Sequence, residues 1–169
     1  IINAINFIDG IDGLAITEVI KTIILIEFFS GKQTALNPLI TLLVLSLLPL
    51  YYFNFKKKGK VFLGDGGSLL LGTIVSIYIF YTLGSEYQFK EEFQLNKALF
   101  AVLVILYPLV DLLRVFVLRI KEGKSPFQAD KNHIHHFFLK KVNGLFPAFL
   151  IVIFIIILTQ LILFNIAII

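Results

Sequence analysis

Apolar and polar positions fall along this chain in long blocks rather than in the short periods of a soluble amphipathic fold. Apolar runs cover residues 14–29, 36–55, 68–83, 98–118 and 145–168, with polar stretches between them. A hydrocarbon core of about 30 Å takes roughly 20 helical residues at about 1.5 Å each. The first run is short and carries Glu18, Lys21 and Glu27. It can span if its ends snorkel or lie at the interface, and spanning is the reading adopted. The pattern predicts an all-α, polytopic membrane bundle with about five hydrophobic segments, forming one domain over residues 1–169.

Prolines and glycines refine these elements. Pro38 and Pro147 suit first helical turns, whereas Pro49 and Pro108 lie inside runs and predict kinks. Ser68 follows the glycines of Gly64-Asp65-Gly66-Gly67 and predicts an N-cap for the helix beyond. The segment 3–13, NAINFIDGIDG, has turn chemistry at both Asp-Gly pairs and is too polar to span.

Composition agrees with a membrane chain: 58% hydrophobic and 15% charged, against roughly 45–50% and about 25% for soluble domains. Mean hydropathy is +0.92. The absence of cysteine removes disulfides and thiolate sites. A net charge of +4 does not make a nucleic-acid surface here, because in a membrane chain the placement of Lys and Arg matters more than their sum. Lys56, Lys57, Lys58, Lys60, Arg119, Lys121, Lys124, Lys131, Lys140 and Lys141 lie in the loops 55–67 and 119–144, against Lys32, Lys90 and Lys97 in the opposite loops. Ten against three predicts that the first set is cytoplasmic. Alternation then puts segment 3–13 on the same face. The chain has no Met and begins Ile1-Ile2, so it is expected to be part of a longer one.

Three polar islands carry candidate chemistry, each with a plainer alternative. Asp65 sits in a glycine-rich turn expected to open a helix, where backbone amides attract phosphate and a carboxylate can hold Mg²⁺. The plainer reading is an Asp favoured by the helix dipole. Asn3, Asn6, Asp9 and Asp12 recur every three residues, so on a helical turn they share one face. That face could bind a metal, hydrogen-bond a nucleotide and supply a general base; successive capped turns are the alternative. His133, His135 and His136 lack the i, i+4 spacing of helical metal ligands. With Lys131, Lys140 and Lys141 nearby, contact with an anionic substrate is the better reading, against a segment merely drawn to anionic lipid. Asp111 and Arg114 are expected to pair at i, i+3, positioning the histidine segment.

Together these islands resemble the polyprenyl-phosphate N-acetylhexosamine-1-phosphate transferases, the glycosyltransferase family 4 enzymes of the MraY and WecA/TagO types. NAINFIDGIDG is similar to the family's NAxNxxDGxDG segment, FLGDGGSLLLG to its GDxGS segment, and DKNHIHH to the His-x-His-His loop of the WecA/TagO branch. The likeness covers residues 2 to about 141 with three motifs in order. It implies transfer of a sugar 1-phosphate, N-acetylglucosamine 1-phosphate in this branch, from a UDP-N-acetylhexosamine to undecaprenyl phosphate. The reaction would use Mg²⁺ at the cytoplasmic face of the inner membrane and release UMP for cell-wall or surface-polysaccharide synthesis. By the same resemblance Asp65 and Asn6 hold the metal, and Asp9 and Asp12 line the catalytic pocket. Asn3, His133, His135 and His136 meet substrate, and a homodimer is the candidate assembly.

The chain departs from the family pattern in lacking an Asp-Asp motif and in having Ala129 before Asp130. One apolar run follows the histidines, so the C-terminus is expected to be cut as well. The rival readings are the phospho-N-acetylmuramoyl-pentapeptide reaction, a transporter with polar groups at midplane, and an inactive paralogue.

Overall fold

A computed structural model describes residues 1–9, 12–56, 58–93, 95–125, 133–134, 141–142 and 145–168, apart from the side chains of 145, 147, 148, 163 and 166–168. Among the described residues it contains seven helices: α1 Ile2–Ile8, α2 Leu14–Phe29, α3 Asn37–Phe55, α4 Gly64–Leu83, α5 Lys97–Val104, α6 Leu106–Lys121 and α7 Leu145–Ile168. The protein is all-helical, as the apolar runs predict.

The helices differ in how they meet the membrane. α3 and α4 are long and apolar enough to cross it, and α5 with α6 makes a third span if the bent pair counts as one. α7 has 24 residues, of which the fully described stretch is apolar but shorter than a span. α2 runs from one end of the bundle to the other but is shorter than α3 and α4. Its 16 residues reach only about 24 Å, and Leu14, Ala15, Ile16, Val19, Ile23 and Ile26 are all buried. It is an internal strut against α1, α3, α4 and α5, which explains its charge: Glu18 is fully buried and paired with Lys21 at 2.6 Å.

α1 lies across α4 and α6. At the crossing with α4, a Cβ on Gly72 would stand 2.8 Å from the carbonyl oxygen of Ile2 and 2.9 Å from its Cα. Only glycine permits that approach. It holds segment 3–9 against the start of α4, where the chemistry gathers.

Pro38 occupies the first turn of α3 and Pro147 that of α7, as expected, while α3 continues through Pro49 as one helix. The expected kink at Pro108 falls instead at Ile105, where α5 and α6 meet at 73°. Proline lacks the N–H that would bond the carbonyl four residues earlier, and that carbonyl belongs to Val104. Thr22 Oγ1 donates to it at 3.3 Å, and Gln160 Nε2 donates to Leu103 O at 3.0 Å and Val104 O at 3.4 Å. Side chains of α2 and α7 thus supply what the backbone cannot, the condition for a broken helix within a membrane.

At the far end of the bundle the loops after α2 and α4 meet in an isolated antiparallel bridge, Ser30 with Phe89. Glu27 braces this end. Its Oε1 accepts from Tyr78 and from Thr34 Oγ1, and its Oε2 accepts from Asn37 Nδ2 at 2.9 Å.

Candidate active site

The opposite end is built around α1. Asn3 and Asn6 stand one turn apart on this helix, with Asp9 at its C-cap, so the helical reading of the three-residue repeat holds for residues 3–9. Asn6 Nδ2 donates to Ser68 Oγ at 2.8 Å and to Asp65 Oδ1 at 3.2 Å. Two motif segments about sixty residues apart in sequence therefore meet through one amide. Asn3 is exposed.

Ser68 is not the expected N-cap. α4 already begins at Gly64, whose φ of +64° turns the chain into the helix, and this puts Asp65 in the first turn and Ser68 inside it. Buried there, Ser68 donates to Gly64 O at 2.9 Å and turns its oxygen toward Asn6. Asp65 is exposed at the helix start, where the dipole favours a carboxylate.

Asp12 and Asp65 lie near enough to Asp9 for their charges to act on it. Burial, reinforced by Asp12 and then by Asp65, pushes the Asp9 carboxyl up to about 7. Asp12 is ion-paired with Lys60. The next residue, Gly13, has φ +75°, and its N–H donates to Asn54 Oδ1 at 2.5 Å.

Of the histidine segment, His133 and Ile134 are described, and both are tied to α6. His133 Nδ1 lies 2.7 Å from Asp111 Oδ2, and the Ile134 N–H donates to Asp111 Oδ1 at 2.7 Å. Asp111 is completely buried and His133 is 5% exposed. An ionised carboxylate only accepts, so this contact orients the ring with Nδ1–H toward Asp111. The partner of Asp111 is therefore His133 and not Arg114, because the carboxylate points inward while Arg114 sits on an exposed position. The expectation that Asp111 positions the histidine segment stands. The His133 ring packs on Phe7 at 5.6 Å between centroids, and the Arg119 guanidinium covers the same ring at 5.9 Å. His135 and His136 lie outside the described residues.

Four contributors escaped sequence reasoning: Phe7, Asn54, Lys60 and Arg119. Lys60 stands in a basic run that reads as a topological signal, and Asn54 is a lone amide at the end of an apolar run. Neither pattern separates a site residue from a boundary residue.

The donor set can be compared with what a cation needs. Among the described residues no three His, Cys, Asp or Glu side chains gather as metal ligands. Mg²⁺ takes one or two protein oxygens and completes its shell with water and substrate phosphate. Asp65, exposed beside a repelling Asp9, can offer one such oxygen, and Asn6, whose Nδ2 is turned to Asp65 and Ser68, could add a second only through Oδ1.

Comparison with known proteins gives a consistent picture. The family model for glycosyl transferase family 4 matches residues 1–83. A decaprenyl-phosphate N-acetylglucosaminephosphotransferase of Mycobacterium leprae is 36% identical, with 80% of this chain and 38% of the relative aligned. An undecaprenyl-phosphate alpha-N-acetylglucosaminyl 1-phosphate transferase of Escherichia coli K12 is 34% identical, covering 82% and 38%. The protein of that name from Pasteurella multocida is 34% identical, covering 66% and 31%. The chain thus spans less than two-fifths of the length of these relatives. No solved structure matches it.

Proposed function

We propose that the chain is part of a glycosyl transferase family 4 enzyme, and that the whole protein transfers N-acetylglucosamine 1-phosphate from UDP-N-acetylglucosamine to a polyprenyl phosphate. An oxygen of the lipid phosphate attacks the sugar-bearing phosphorus of the donor. The bond from that phosphorus to the bridging oxygen breaks, and UMP leaves with the bridging oxygen. The observation that carries this reading is the Asn6 amide contacting both Asp65 and Ser68, which joins two motif segments beside Asp9 and Asp12. The topological excess of Lys and Arg supports a cytoplasmic face for this end.

Asn6 and Asp65 would hold Mg²⁺, which supplies charge neutralisation for the diphosphate when bound. Asp9, with a carboxyl near 7, is matched to take the last proton of a phosphate monoester, which leaves near pH 6. Asp12 and Asn3 would line the nucleotide pocket. His133, oriented by Asp111, would offer Nε2 to anionic oxygens, with His135 and His136 in the same segment.

The experiment is UMP release by membranes containing the whole protein, supplied with polyprenyl phosphate and either UDP-N-acetylglucosamine or UDP-N-acetylmuramoyl-pentapeptide. Release with the first donor alone, and only with added Mg²⁺, is expected. Turnover of the pentapeptide donor instead would overturn the sugar assignment, and no release with either donor would overturn the reading.

A further inference from the structure

Lys60 differs from its neighbours in the basic run. Lys56 leaves the end of α3 and lies over the rings of Tyr52 and Phe53 at 5.3 and 5.0 Å. Both rings are exposed, so this ammonium stays at the membrane edge. Lys58 is exposed. Lys60 alone among the described lysines of this run turns inward, with its side chain 21% exposed and paired to an Asp12 side chain 12% exposed.

A specific device sets this direction. Asn54, buried near the end of α3, accepts from the Gly13 N–H through Oδ1 and donates to Val61 O at 2.9 Å through Nδ2. A backbone bond from Val61 N–H to Phe53 O at 3.2 Å supports the same turn. Gly13 follows Asp12 and Val61 follows Lys60. One side-chain amide therefore fixes the two backbones whose preceding residues form the ion pair. A charge pair on two loops loses much of its attraction to side-chain entropy; this staple removes part of that loss in advance.

The charges around the pair suggest what the ammonium is for. Asp9, Asp12 and Asp65 bring up to three negative charges together, and a phosphate-bearing substrate must enter among them. A lysine ammonium has three donors. Asp12 takes one, and the same nitrogen can offer others to a phosphate oxygen without breaking the pair. The ammonium also lies over the Phe62 ring, 4.8 Å from its centroid.

We propose that Lys60, held beside Asp12 by the Asn54 staple, is a phosphate-binding residue of this site. The ligand class is a phosphate or diphosphate ester; in the transferase reading, on which the source of that group rests, it is the donor diphosphate or the lipid phosphate. Asn54 is a positioning residue that acts through Lys60 and Asp12.

The test uses the whole protein in membranes, as wild type, Lys60→Met, Lys60→Arg and, as a charge control, Lys58→Ala. Inorganic pyrophosphate with Mg²⁺ is the direct probe. Lys60→Met is expected to weaken pyrophosphate binding by about 10- to 100-fold, the worth of a charge-assisted hydrogen bond. Lys60→Arg should restore most of it, and Lys58→Ala should match wild type. A rise in KM for UDP-N-acetylglucosamine alone assigns Lys60 to the donor, and a rise for polyprenyl phosphate alone assigns it to the lipid. If Lys60→Met binds pyrophosphate as wild type does, the proposal is overturned whatever happens to kcat, and Lys60 is only the counterion of Asp12. Lys60-dependent pyrophosphate binding without any sugar-phosphate transfer would instead sink the transferase reading and leave this site standing.

Discussion

The two ends of the bundle treat carboxylates in opposite ways. At the far end Glu27 is surrounded by donors from Tyr78, Thr34 and Asn37, so its charge ties α2, α3 and α4 together. At the site end Asp9 sits among Asp12 and Asp65 and is pushed up to about 7. The first arrangement is closed, with its acceptors engaged by the chain itself. The second is strained electrostatically and improves when something cationic or proton-bearing joins it. A polar cluster in a membrane helix bundle therefore means a brace or a binding site according to who supplies the compensating groups.

Exchanging those roles by mutation tests the contrast. The largest effect is expected from Asp65→Asn, which should lower Mg²⁺-dependent UMP release by about 10³-fold, in the range of losing one well-placed electrostatic group. Because Asp65 is exposed, the variant should unfold at the wild-type temperature. Wild-type turnover by this variant would remove the metal assignment. Next is Glu27→Ala, which removes the acceptor shared by Tyr78, Thr34 and Asn37 and leaves the two hydroxyls only each other; it should cost about 2–3 kcal/mol, read as a lowered unfolding temperature in detergent. The KM for the donor should stay within about twofold; a variant with normal stability would mean that the far end is not a brace.

The pH dependence of stability is the most diagnostic. With a folded carboxyl near 7 against an ordinary value of 3.8, Asp9 binds its proton more tightly in the folded protein. Without a cation, stability should then fall as pH rises from about 4 to about 7 and stay lower above that. Asp9→Asn should remove this slope and be the more stable form at pH 8, with no difference below pH 4. Added Mg²⁺ should flatten the wild-type slope. A pH-independent difference between the two forms would show that the carboxylates do not interact.

Much of this was legible in advance. The apolar runs gave the helices, and the three-residue repeat gave one face of α1, because both signals are local periodicities. What escaped depends on partners distant in sequence. Asp111 has Arg114 at a favourable local spacing, yet burial directs it to His133, twenty-two residues onward. Ser68 follows a glycine run and reads as a cap, but Gly64 had already turned the chain into the helix. Lys60 is one of several lysines until Asn54 fixes the turn that aims it. Charge α2 carries inside a short apolar run became intelligible only once neighbouring helices shielded it from lipid.

The break before α6 also says something about the order in which the protein is made. Two carbonyls at the end of α5 rely on Gln160 of α7, which leaves the ribosome well after α5. Thr22 is already in place when α5 emerges, so Val104 finds its first donor early. Leu103 must wait for α7. The bend is therefore a keystone joint: the tilt of α6 that carries Asp111 to His133 is set only after α6 itself is made, when α7 arrives to hold it.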